Sequence, residues 1–183
     1  MAPFRCDECG VLSLAAMSLP QVRSAPQAEL ELEHSRADAV WLPAHGVGKT
    51  YDDVPPHIAG AASEAHECLS IGARRAAVLM ARSVIEATAK DKGITNGRLS
   101  EKIDEMHAQG LIRELVKDQA HEVRHLGNDM AHGDFVDPVT TEEADEILEL
   151  MAEVLREVYQ APARLKARKD ARLSKLHPGA TTA

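Results

Sequence analysis

Residues 112–134 read IRELVKDQAHEVRHLGNDMAHGD, and their spacing decides how the rest of the chain is understood. Leu115, Val116, Ala120, Val123, Leu126 and Met130 recur at three- and four-residue steps. That period puts them on one buried stripe of an α-helix. The helix is predicted over residues 112–132, with Gly133 as its stop. A second, polar stripe runs along it: Arg124, Asn128 and His132 recur at four-residue steps, with His125 and Gly127 between them.

The flanking sequence repeats the helical pattern. Thr140-Thr-Glu-Glu143 is a capping box. Behind it Ala144, Ile147, Leu148, Met151, Leu155, Val158 and Tyr159 form an apolar face, and Pro162 is expected to interrupt that helix. Upstream, Asp53 is the expected N-cap of a helix with Ile58, Ala62, Ala65 and Leu69 inward. A second helix is expected from Gly72 to Lys92, with Val78, Ala81, Ile85 and Ala89 inward, closed by Gly93. A short one follows over Leu99–Gln109, with Leu99, Ile103 and Met106 inward. Only 3 % of residues are aromatic and strand-forming runs are few, so helices are favoured over sheets. The fold class is all-α: a bundle of four to five helices with short connections. Residues 1–50, broken by Pro3, Pro20, Pro26 and Pro43, form an irregular appendage in which Glu29–Glu33 and Ala39–Leu42 read as short strands. The helical domain spans 51–162, and a basic C-terminal helix or tail spans 163–183.

The net charge of −8 argues against a general nucleic-acid binder, but the charge is uneven. From Ala161 onward six basic residues oppose one acid, giving +5 and leaving −13 for residues 1–160. A basic tail on an acidic body suits RNA, an acidic partner or the chain's own body. No apolar run reaches membrane-spanning length, and the N-terminus lacks the basic start of a signal peptide, so a soluble cytoplasmic protein is expected.

Two short motifs invite chemistry. His45-Gly-Val-Gly-Lys-Thr50 contains the Gly-Lys-Thr of a phosphate-binding loop. Pro43 stands where that loop needs its first glycine, and Asp52, Asp53 and two prolines follow where a helix should open. ATPase and GTPase readings are therefore discarded. Cys6-x-x-Cys9-Gly10 is half of a zinc knuckle, because two thiolates at that spacing chelate one ion and glycine lets the chain turn around them. His34 and His45, or the same pair of a second chain, would complete four ligands. Cys68 reads as a small apolar filler.

The polar stripe has two readings from residue types. Arginine holds a phosphate and histidine moves protons, which together suffice for metal-free RNA cleavage. Eight residue steps of ~1.5 Å each place Arg124 and His132 about 12 Å apart along the axis, so such a site would need two copies across a two-fold axis. Alternatively the three side chains cap carbonyls or pair within the bundle, Arg124 with Glu86 for example, while Gly127 permits close packing.

The order FRCDECG, VWLP, YDDVPPHIAGAASEAHECL, GARRAAVLMARSVIEA, DKGI, LSEKI, VRHLGNDMAHGD and YQAPARL resembles a bacterial family, domain of unknown function 4145, over most of residues 4–165. That family looks like a branch of the HEPN helical bundles. The resemblance implies a bundle that dimerises, in a bacterial or phage setting linked to defence. It also implies an endoribonuclease motif in which Arg124 holds the scissile phosphate, His125 is the polar follower and His132 is the acid/base. Here seven residues separate Arg124 and His132, one more than the usual maximum. Longer relatives carry two Cys-x-x-Cys pairs in an N-terminal zinc ribbon, of which Cys6 and Cys9 are the remnant. The expected protein is thus a HEPN-like, dimerising interaction module in a defence or nucleic-acid-associated system, with RNA or a larger defence protein as partner. Its functional groove would be lined by Arg124, Asn128 and His132. The alternative is a metal-independent endoribonuclease using Arg124 and His132 across a homodimer.

Overall fold

The computed structural model describes residues 2–5, 12–16, 24, 26–27, 30, 40–42, 46–131 and 138–176. The chain divides into two compact units, Met1–His45 and Gly46–Ala183. The first holds strands β1 (Ala2–Arg5), β2 (Leu12–Ala16) and β3 (Val40–Leu42). They form an antiparallel sheet in the order β1-β2-β3, with Pro3 opposite Leu14 and Ala15 opposite Trp41. The N-terminal part is therefore not simply irregular, because backbone pairing between three short runs outweighs their weak side-chain pattern. The strand expected over Ala39–Leu42 is present. Within Glu29–Glu33 only Leu30 is described, and it is helical. Cys6, Cys9, His34 and His45 lie outside the described residues.

The second unit is a helical bundle: α1 (Pro56–Ser70), α2 (Arg74–Asp91), α3 (Leu99–Ala108), α4 (Glu114–Ala131), α5 (Thr141–Leu155), a π turn (Arg156–Gln160) and α6 (Ala161–Leu176). Helix α2 is its centre and packs against α1, α3, α4 and α5. The expected stripes meet there. Ile58, Ala62, Val78, Ala81, Ile85, Ile103, Met106, Val123, Leu148 and Met151 are all fully buried. Alanines on α1 and α2 bring those helices close without large side chains between them.

Local chemistry accounts for the helix boundaries. Asp53 is not the N-cap of α1; it takes a left-handed φ of 61°, and Pro55 precedes the first helical residue, Pro56. Prolines lack the N–H that the first turn leaves unpaired anyway, so the helix begins at the second of them. Thr140 caps α5 as expected, its Oγ1 accepting from Glu143 N at 3.1 Å while Glu143 Oε2 accepts from Thr140 N at 2.8 Å. Leu115, expected inside, is 66 % exposed and the adjacent Val116 is buried, because α4 starts only at Glu114 and its first turn lies at the rim. Pro162 does not end the helical run either. The N–H of Ala161 bonds to the carbonyl of Arg156, five residues back, so the chain passes through a wider π turn. A proline ring clashes with the carbonyl four residues earlier, and the wider turn makes room for it.

The Gly-Lys-Thr segment lies in the irregular stretch 46–51 along α1. Val47 N–H donates to Ser70 Oγ at 2.8 Å, and a Cβ on Gly48 would come within 2.1 Å of Ser63 Oγ. Tyr51 continues the strap, its hydroxyl 2.8 Å from His66 Nε2. No helix opens at Thr50, so the segment has the glycines of close packing and not those of a nucleotide loop. Among the described residues no helix is long and apolar enough to cross a membrane.

Candidate functional site

Three helices meet at a cleft of about 580 Å³. Helix α2 contributes Arg82 and Glu86, the start of α3 contributes Gly97, Arg98, Leu99 and Ser100, and α4 contributes Arg124 and Asn128. Two of the residues expected to line a groove, Arg124 and Asn128, therefore do share one. His125 is exposed beside it, its Nε2 2.7 Å from Arg124 Nη2. A guanidinium can only donate, so that ring nitrogen accepts and His125 steadies the Arg124 fork. His132 lies outside the described residues.

Sequence reasoning missed Arg82, Arg98 and Ser100. They lie 24 to 42 positions before Arg124, and only the packing of α2 and α3 on α4 gathers them. Gly127 carried the one usable signal. A Cβ there would sit 2.8 Å from Arg82 Cβ and 2.9 Å from its Cδ, so glycine is what lets the arginine stem lie across α4. Gly127→Ala gains helix propensity, up to about 1 kcal/mol, yet forces the stem aside at about 1–3 kcal/mol. The expected net loss is about 1 kcal/mol in thermal unfolding, together with weaker ligand binding in the cleft.

Glu86 is occupied and does not pair with Arg124 among the described residues. Its Oε1 accepts from Lys102 Nζ and from Lys90 Nζ, each at 2.9 Å, and Arg82 Nη1 lies 3.9 Å from Oε2. Hydrogen bonds from Lys102, then Lys90, pull the Glu86 carboxyl from 4.5 down to about 2. A depressed carboxylate stabilises the fold fully above its unfolded value and loses that contribution as pH falls. The Glu86 contribution, discounted to about 1–2 kcal/mol for part exposure, is thus lost between pH 4.5 and about 2. Melting curves of wild type and Glu86→Gln should be furthest apart near neutral pH and converge through that window.

With Glu86 neutralised by lysines, Arg82, Arg98 and Arg124 leave the cleft cationic on an otherwise acidic body. The Nε atoms of Arg82 and Arg124 are buried without an acceptor among the described residues. At the N-terminus of α3, Glu101 Oε2 accepts from Arg98 N at 2.9 Å. Gly97 sits just before it with φ at 84°, where a Cβ would lie 2.4 Å from Glu101 Oε2. Three guanidiniums gathered beside a helix start are chemically an anion receptor.

The model of the family DUF4145, a domain of unknown function, matches residues 63–175. The chain belongs to this family. The DUF4145 match takes in both arginine-bearing helices of the cleft, the start of α3 and nearly all of α6. No curated protein and no solved structure matches the chain.

Proposed function

We propose that this DUF4145 chain is a HEPN-like, dimerising module of a bacterial or phage defence or nucleic-acid-associated system, cytoplasmic, whose cleft grips a phosphate of RNA. The observation that carries the reading is the convergence of Arg82, Arg98 and Arg124, from three separate elements, on one cleft with Asn128. Guanidiniums match phosphate geometry bidentately, and asparagine adds a neutral donor and acceptor. The test is fluorescence anisotropy with a labelled single-stranded RNA at about 50 and about 300 mM salt. Binding that weakens with salt and is lost in Arg124→Gln supports the reading; no binding at either salt overturns it.

A second reading is a metal-independent endoribonuclease using Arg124 and His132 across a homodimer. It is favoured by the place of Arg124 and Asn128 in the same cleft, on the stripe that leads to His132. It expects cleavage in EDTA that leaves 2′,3′-cyclic phosphate ends, with His132→Ala losing cleavage but keeping binding. Intact RNA under every condition leaves the binding module alone. Zinc on Cys6 and Cys9 belongs to the same proposal through their spacing; elemental analysis should find about one zinc per chain, or half that if two chains share it.

A further inference from the structure

From Thr141 to Leu176 the backbone runs helically through α5, the π turn and α6. Charge divides this rod in two. The α5 half has six acids and no base, whereas the α6 half has six bases and one acid. Ala144, Ile147, Leu148 and Met151 bury the inner face of α5. At 100° per residue, Asp145, Glu149 and Glu153 form a row on the opposite side. Glu142, Asp145, Glu146 and Glu149 are exposed and make no ion pair with any described residue, while Glu153 holds Arg156 at 2.6 Å.

Helix α6 has the opposite sign, and among the described residues nothing covers it. Every side chain from Arg164 to Ser174 is exposed, including Leu165 at 55 % and Leu173 at 50 %. Arg164, Arg168 and Arg172 step by four along one face and make no ion pair with any described residue. A helix of this length, polar on nearly all sides, is marginal alone and gains most from a partner that covers a face.

We infer that the partner is a second copy of this chain, whose rod lies antiparallel on the first so that each arginine row meets the acid row of the other copy. Both rows step by four residues, and one register brings every pair opposite at once: Asp145 with Arg172, Glu149 with Arg168, Glu153 with Arg164. The two-fold axis then crosses between Val158 and Tyr159, inside the π turn. Such a contact is isologous and closes at two chains. Leu165 and Leu173 each follow an arginine of the row, and the half-buried Leu150 follows Glu149, so an apolar edge accompanies the charges. RNA on the same arginines would leave the acid row and the leucines uncovered, which is why a second copy fits better. The surface lies apart from the arginine cleft, and its test does not depend on any ligand there.

Sedimentation velocity of the full chain tests it at about 50 and about 500 mM salt. Two variants are compared with wild type: Asp145→Arg with Glu149→Arg, and Arg168→Glu with Arg172→Glu. All four positions are exposed, and circular dichroism checks that both variants stay helical. The expected result is a two-chain species for wild type that weakens at high salt, single chains for each variant, and two-chain species again when the variants are mixed in equal amounts. Wild type that sediments as single chains, variants that keep the two-chain mass, or a mixture that fails to recover it would each overturn the proposal. Loss of RNA binding in the Arg168→Glu, Arg172→Glu variant without change of mass would overturn it too, and would assign α6 to nucleic acid.

Discussion

Replacing Arg82 and Arg124 together by alanine is expected to weaken RNA binding at least ~100-fold, while the melting temperature stays within a few degrees of wild type. Each charge-assisted arginine–phosphate contact is worth about 1.5–3 kcal/mol, so two of them exceed the ~2.7 kcal/mol that a hundredfold loss requires. The stability cost is small for a physical reason. Both Nε atoms are already buried without acceptors among the described residues, so truncation removes an unpaid desolvation as well as packing. A binding loss matched by an equal loss of stability would instead mean that the arginines are struts of the bundle. Anisotropy titrations beside thermal melts separate the two outcomes. The residual salt dependence should also fall by about one phosphate contact per arginine removed.

Ile85→Ala is expected to have the largest effect on the fold. Ile85 is fully buried on α2, the helix that touches α1, α3, α4 and α5, so the hole it leaves has walls from several elements and collapses poorly. Removing such a side chain costs about 3–4 kcal/mol. For a unit of this size that lowers the melting temperature by on the order of 10 °C. Ile85 also stands between Arg82 and Glu86, so the same substitution should loosen the cleft before the chain unfolds. Leu165→Ala, on the exposed α6, is expected to change the melting temperature of the isolated chain by less than about 0.5 kcal/mol equivalent.

The helices were legible in the sequence wherever period and punctuation agreed. Thr140 and Glu143 announced α5 because both halves of a capping box lie within four residues. Gly93 announced the end of α2 and takes a φ of 85° there. Asp53 misled because its type suits an N-cap, while it takes a left-handed φ of 61° and the helix opens three residues later at Pro56. Pro162 misled because the rule that proline breaks helices assumes an α register, and a π turn absorbs the ring. The cleft was half legible. Arg124 and Asn128 share a helix face and could be read from spacing, whereas Arg82 and Arg98 join them through tertiary packing, which leaves no periodic trace. Gly127 pointed to a close approach but not to the arginine stem that makes it. The two charge halves of the last helix were visible as a composition shift; that they share one continuous rod was not.

The proposed function requires a phosphate of RNA among Arg82, Arg98 and Arg124. The most direct measurement is NMR of the arginine Nε–Hε groups, with assignments from single Arg→Lys variants, during titration with a short single-stranded RNA. The Nε–Hε signals of Arg82 and Arg124 are expected to move first and farthest, because both arginines line the cleft. Signals that move only on α6, at Arg164, Arg168 and Arg172, or that do not move at all, would contradict it.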